Sequence, residues 1–455
     1  MTKAFATENE SFRLNVRDFG ARGDGKTLDT AAIQAAILCC PPEGTVLIPR
    51  GVFYTGALFL KSHITIELAP GAVLLGATDR SLYPILPGVT QAENETDEYY
   101  LGIWEGNPLS SFASLLTGVS VNHVSIVGTG VLDANAQNGD WWENPKKKRV
   151  AWRPRMLFLN RCEDIRVQGV TFRNSYAWTI HPCFSNRISM IDIKVLNSPD
   201  SPNTDGMDIE SCDKVDVIGA EISVGDDCIA LKSCKLFLGR RLKLPVCNIE
   251  VRNCLLKRGH GAIVIGSETS AGVYNITAEQ CVFDGTDRGL RIKTRRGRGN
   301  LSVIDGIRIK NIRMNHVGTP FVINMFYFCD PDGHSEPVWS KDKKPVDAFT
   351  PKVGSLKCEN VRCEDCSVAG MFFYGLPEMP IESVEMDHVF IDFSEKAEPG
   401  YPDMMDHIRK VKRLGIYANN VKSLRLRNVS VSGSEGDPVI VRHVENIVRE
   451  GRNDA

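Results

Sequence analysis

From Ile165 the chain reads "IRVQGVTF", with apolar residues at offsets 0, 2, 5 and 7 and a turn-forming residue at offset 4. The same four-point template returns from Ile188 (Met190, Ile193, Val195; turn Asp192), from Val215 (Val217, Ala220, Ile222; Gly219), from Ile249 (Val251, Cys254, Leu256; Asn253) and from Ile276 (Ala278, Cys281, Phe283; Gln280). It continues from Ile307, Val361, Val384 and Leu424, with turns at Asn311, Asp365, Asp387 and Asn428, and a looser copy starts at Val124. Alternation on both sides of a corner is strand periodicity. One such unit is too short to bury its own apolar face, so units must stack. The tightest spacings, 23 and 27 residues, suit one coil of a parallel β-helix. A β-sandwich with coincidental alternation would have to produce nine full copies.

Length alone, 455 residues, would suggest about three ordinary domains, but the repeat overrides that prior. The expectation is an all-β chain: a single parallel β-helix over 1–455, with a short N-terminal capping helix. The cap and first coils fall in 12–80 and the main coils in 120–445. Loop insertions fall near 135–155 and 329–354. In "DFGARGDGKTLDTAAIQAAILCC", Asp29 or Thr30 can cap a helix whose Ile33, Ile37 and Cys40 share one face. This opening resembles that of the pectin-lyase-like right-handed β-helices, and the resemblance implies a right-handed solenoid of that class.

The 54 basic and 56 acidic residues leave a net charge of −2, which argues against nucleic acid or a membrane as partner. "MTKAFATENESFRLN" carries no apolar run, so a cytoplasmic location is expected, or a secreted one if a leader has been removed. The 14 cysteines are expected as free thiols. Cys254, Cys281 and Cys366 fall on an inward offset, and Cys162, Cys212 and Cys358 lie three residues before offset 0. Small apolar side chains suit a solenoid interior. Cys363-x-x-Cys366 reads the same way rather than as a zinc site.

Four stretches carry charge at equivalent places: "NTDGMDIES" (203–211), "GDDCIALKS" (225–233), "GHGAIVIGS" (259–267) and "RGLRIKT" (288–294). Aligning Ile209, Leu231, Ile265 and Ile292 as one inward column puts Asp205 beside Asp227 and Gly261, and Asp226 beside His260. Adjacent coils lie about 4.8 Å apart. Gly225 suggests a bend that lets both aspartates reach solvent. Arg291 and Lys293 project outward on the same side. A carboxylic acid that protonates a leaving oxygen, and a carboxylate that activates water, are the groups of glycoside hydrolysis. A cation pair suits a sugar that is itself an anion. A solvated charged face would not need Asp, Asp-Asp, His and Arg-x-Lys in register.

"NTDG", "GDD", "GHG" and "RIK", in this order and spacing, resemble the glycoside hydrolase family 28 polygalacturonases. "SETSAGVYN", "RIKTRRGRG" and the loops at 89–105 and 329–354, which can wall off one end of a groove, resemble bacterial exo-polygalacturonases. The resemblance implies Asp226 as general acid, Asp205 and Asp227 sharing the water, and His260 tuning the acid. It also implies Arg291 and Lys293 on the galacturonate carboxylate, inversion by single displacement, and no metal or cofactor.

Asn203, Trp178 and Arg153 are further candidates for substrate contact, and His181 is a candidate either to line a subsite or to cap a coil. In the insertion "GDWWENPKKKRVAWRPR", Trp141 and Trp142 are expected to stack on sugar rings, and Lys146 to Arg149, Arg153 and Arg155 to meet carboxylates. "PKKKRV" as a nuclear address is the weaker reading. The expected partner is an acidic polysaccharide or oligogalacturonide, and a homo-oligomer stays open. Rival functions are hydrolysis of xylogalacturonan or rhamnogalacturonan backbones, a calcium-dependent pectate lyase, and a glycan-binding β-helix without activity.

Overall fold

The computed structural model describes residues 12–91 and 98–451. Residues 1–11 of the N-terminal stretch read for a leader and residues 92–97 of the 89–105 loop lie outside them. A parallel sheet of 34 strands winds through the described chain. Each middle coil holds three strands, as in Leu157–Asn160, Glu163–Gln168 and Thr171–Arg173, and each strand pairs in parallel with its counterpart one coil on. The expected right-handed parallel β-helix of pectin-lyase type is the fold.

The template column is continuous. Ile165, Ile188, Val215, Ile249, Ile276 and Ile307 pair in order along the middle strand of successive coils. All are buried. The offset-4 residues hold the corner because they take left-handed backbone: Gly169, Asp192, Gly219, Asn253, Gln280 and Asn311 have φ between 50° and 78°. Glycine and asparagine reach that region at least cost.

Two registers differ from expectation. Val361 pairs with Ile312 and Val389, so that copy begins at Leu356, five residues earlier, with Asn360 at the corner. In the following coil the left-handed residue is His388 rather than Asp387. Cys358 therefore stands in the inward column with Ile309 and Met386. Cys366 leaves the Cys254–Cys281 column and pairs with Phe393. All 14 cysteines are free, and 11 of them are buried.

The helix Thr30–Cys39 buries Ile33 and Ile37, and Cys40 beyond its end, as expected. Gln34 ties it to the first coils by bonding both N and O of Phe59. Asp29 sits at the N-cap but does not cap: its carboxylate accepts from the backbone N of Arg22 (2.7 Å) and Gly23 (2.9 Å) and braces the preceding turn instead. No helix among the described residues is long and apolar enough to cross a membrane.

The insertions gather on the first-strand side of the helix. Residues 134–156 and 325–351 match the expected ones, and 233–245 and 394–413 join them. They rise around the strands Met207–Glu210, Asp227–Lys232, Gly261–Ile265 and Arg288–Lys293.

Candidate active site

The first strands stack as expected. Ile209 pairs with Leu231, Leu231 with Ile265, and Ile265 with Ile292. Asp227 pairs with Gly261, Gly206 N donates to Asp227 O, and His260 N donates to Asp226 O. Asp205, Asp226 and Asp227 therefore converge, with carboxylate oxygens within 4.8 Å of one another. The bend at 225–226 lets Asp226 and Asp227 face the same cavity. Gly225 is required there, because a Cβ would stand 2.5 Å from Ser201 O and 2.8 Å from Ser198 O. Gly261 keeps the next rung low: its Cβ would meet Val264 Cγ2 at 2.4 Å and Asp227 Oδ1 at 3.4 Å.

The three carboxylates differ in environment. Asp227 is buried, with Oδ2 accepting from Lys293 Nζ at 2.8 Å and Oδ1 3.6 Å from Arg291 Nη1. Burial alone would raise its pKa, but Lys293 and Arg291 prevail and hold it at about 2. Asp226 is half-buried, and burial together with the Asp227 charge raises its pKa. Asp205 is buried, and burial, then Asp208 and Asp226, push it well above the ordinary range. Groups of one kind pushed apart in pKa can take opposite roles in proton transfer.

His260 Nδ1 lies 2.8 Å from Asp287 Oδ2, and that bond raises the imidazole pKa against partial burial. Arg291 is engaged on both sides, its Nε and Nη2 donating to Asp403 Oδ1 at 2.9 and 2.6 Å. Lys293 gives one N–H to Asp227 and keeps two of its three donors for the cavity. The three aspartates could also hold a cation. The Lys293 ammonium and the Arg291 guanidinium already supply positive charge to Asp227.

A cavity of about 760 Å³ opens over this cluster. Asn203, Trp178, His260, Arg291 and Lys293 line it with the three aspartates. Two candidates stand elsewhere. His181 is fully buried, its Nε2 2.9 Å from Glu210 Oε2, and its ring backs Trp178 edge-on at 5.1 Å. Burial holds it neutral. Arg153 is buried beneath the wall, donating to Tyr176 O (2.8 Å), Pro202 O (2.9 Å) and Asn203 Oδ1 (2.7 Å). It holds Asn203 from beneath and is not among the residues that line the cavity.

The 139–155 insertion is corrected too. Trp141 is buried against Tyr83, Phe112 and Tyr176, with Arg80 4.0 Å over its ring. Trp142 donates to Ser175 O, Arg149 pairs with Asp140 and Glu143, and Arg155 is buried. Pro145, Lys146 and Trp152 are the residues of this insertion that line the cavity.

Several functional candidates escaped the sequence reading. Lys232 lies at the cavity floor, 2.9 Å from Asp208, 3.7 Å from Glu268 and 3.8 Å over the ring of Trp178. Its signal was present: it follows inward Leu231 as Lys293 follows inward Ile292. Asp403 and Met404 come from the 394–413 loop, which carried no signal of its own.

Residues 86–396 match the profile of the glycosyl hydrolases family 28. Residues 13–67 match that of rhamnogalacturonase A/epimerase, pectate lyase-like proteins. A probable polygalacturonase of Vitis vinifera is 29% identical over 389 residues, spanning 84% of this chain and 74% of that protein. The exo-poly-alpha-D-galacturonosidase of Dickeya chrysanthemi is 27% identical over 367 residues, 70% of this chain and 58% of that protein. The endo-polygalacturonase of Pectobacterium parmentieri is also matched, at 28% over 349 residues, 73% of this chain and 81% of that protein. Among solved structures, a hyperthermoactive exopolygalacturonase from Thermotoga maritima superposes with a TM-score of 0.69 at 26% identity, over 88% of this chain and 93% of that one.

Proposed function

The chain belongs to glycosyl hydrolase family 28, the polygalacturonase family, and we propose that it hydrolyses α-1,4-galacturonosidic bonds from a chain end, releasing galacturonate by single displacement. The observation that carries the hydrolytic reading is the Asp205–Asp226–Asp227 cluster, with Asp227 clamped as an anion by Lys293, on the floor of the cavity.

Asp226 gives its proton to the glycosidic oxygen as the bond to the anomeric carbon breaks. Its raised pKa keeps that proton available. Asp227, held ionised, takes a proton from water, and the water oxygen bonds to the anomeric carbon from the opposite face. Asp205, pushed toward its protonated form, orients the same water. His260, whose bond to Asp287 favours the imidazolium, stands beside Asp226 and tunes its ionisation. The two free donors of Lys293, with Lys146 at the rim, meet substrate carboxylates. Among the described residues Lys146 is the cavity-lining cation with no ion-pair partner. Trp178 lies beneath the cavity with Lys232 Nζ 3.8 Å over its ring, so it seats that cation rather than a sugar.

The nearest carboxylate oxygens here are closer than the roughly 6.5–9.5 Å between carboxyl groups that marks inverting pairs, and nearer the roughly 5–5.5 Å of retaining pairs. The three-membered cluster accounts for the difference: two acids flank the water while the third donates. The anomer released first decides the point. Proton NMR of early product is expected to show β-galacturonate. The α anomer would make Asp227 a nucleophile instead.

Oligogalacturonides of defined length test the function. Reducing ends are expected to rise with galacturonate as the one small product, without the absorbance of an unsaturated sugar and without sensitivity to chelator. Unsaturated product would mean a lyase, and no product at all a binding protein.

A further inference from the structure

The strands of the site run from Asp227 toward Lys232, and three residues farther on stands Lys235. Its Nζ lies 2.6 Å from Asp330 and 3.6 Å from Glu105. Those acids belong to two insertions far apart in sequence. Glu105 is at the tip of a hairpin in which Ile103–Trp104 pairs antiparallel with Asn107–Pro108. Glu105 and Gly106, both with positive φ (45° and 70°), form a tight two-residue turn. The tip is seated directly on the coil: Lys235 N donates to Gly106 O at 3.0 Å, and a Cβ on Gly106 would stand 2.6 Å from that nitrogen. The hairpin base is fixed by buried Arg155, which donates to Ile103 O, and by Trp104 stacked on Trp152 at 4.9 Å.

Asp330 is anchored as firmly on its own side. Arg298 donates to it at 2.9 Å while also bonding Ser267 O at 2.6 Å, and Arg295 adds a contact of 3.2 Å. The arginines and Lys235 outweigh burial and hold the Asp330 carboxyl ionised. Glu105, Glu268 and Asp330 all face the cavity, whereas Lys235 lies behind them.

We propose that Lys235 is a specificity-determining positioning residue: its ammonium staples the 103–108 hairpin to the 327–335 loop, closing the groove beyond Lys232 so that a single terminal uronate fits. The wall presents carboxylates to the cavity. These accept hydrogen bonds from hydroxyls of a terminal ring and repel the carboxylate of a further uronate. The inference rests on the chain-end reading above and assigns its cause. Lys235 touches no reacting atom, so its loss leaves the hydrolytic cluster in place.

The test is Lys235→Met, which keeps the length and removes the charge, alongside Glu105→Ala at the exposed tip and Lys235→Arg as the conservative replacement. Each is digested with long-chain polygalacturonate, and products are sized while viscosity is followed against reducing ends. Wild type and Lys235→Arg are expected to release monomer alone. Lys235→Met and Glu105→Ala are expected to add dimers and longer products, with viscosity falling sooner per bond cut; kcat on short oligomers is expected to change little in Lys235→Met, which removes no cavity-lining group. If Lys235→Met does not fold, Glu105→Ala alone decides. Monomer alone from a folded Lys235→Met or Glu105→Ala protein overturns the staple and leaves chain-end action intact. Mixed oligomers from wild type overturn chain-end action itself, and the staple with it.

Discussion

Asp226→Asn is expected to lower kcat on polygalacturonate by roughly 10²- to 10⁴-fold, the range a positioned general acid contributes. The fold should not register the change. Asp226 is half-buried, and its Oδ1 accepts from Asp227 N at 3.0 Å, a bond the asparagine carbonyl reproduces. Its other contact, with Asn203 Nδ2, is 3.5 Å long. Thermal unfolding and binding of an oligogalacturonide should therefore stay near wild type while turnover is lost. Near-normal turnover would remove Asp226 from the acid role. A large fall in Tm would make it structural.

Lys293→Met is expected to act on both rate and stability, because it strands Asp227. The carboxylate is buried, and Lys293 is its nearest cation, with Arg291 Nη1 left at 3.6 Å. Removing one partner of a buried ion pair costs about 3–5 kcal/mol. The remaining arginine keeps the loss toward the low end. The sign of the pH effect follows from the depressed pKa. Asp227 titrates at about 2 in the fold against 3.8 unperturbed, so its contribution to stability is complete above pH 3.8 and is lost as pH falls toward 2. Without Lys293 the folded pKa rises, and both the acid limb of kcat/KM and the acid-side loss of stability move to higher pH. Unfolding and rate measured across pH 2–7 in both proteins read the shift. An acid limb that stays in place would assign the base to Asp205.

Column stacking was legible because inward residues repeat without interruption along the first and middle strands. Once Ile209, Leu231, Ile265 and Ile292 share a column, the neighbours of Asp205, Asp226 and Asp227 follow from counting. The five-residue slip at Val361 has a physical origin. Ser355–Cys366 is one continuous strand, and Leu356, Cys358, Val361, Cys363 and Cys366 fit the template from either start. Only the partner strand, Val303–Asn315, selects Leu356.

Of the two uses open to His181, the structure takes the one inside the coils. Its strand alternates as expected, but outward on this solenoid does not mean exposed. The 98–108 segment covers that surface, with Asn160 donating to Tyr100 O at 3.0 Å and Leu101 O at 3.1 Å. The same covering hides Arg153 and Arg155. Tryptophan and arginine bury by stacking as readily as they meet sugars, and composition alone does not separate the two uses. Asp403 reaches Arg291 from a loop with no repeat to place it. Lys232 could have been found: it occupies the outward position that was recognised at Lys293 one residue past the aligned column.

Everything proposed for the chemistry depends on Asp226 holding a proton while Asp227, its neighbour in the chain, holds none. Neutron diffraction from deuterium-exchanged crystals at the pH of maximal activity reads this directly. Deuterium on an Asp226 oxygen, a bare Asp227 and a fully deuterated Lys293 ammonium are expected. Deuterium on Asp227, or an Asp226 without it, would contradict the assignment of acid and base.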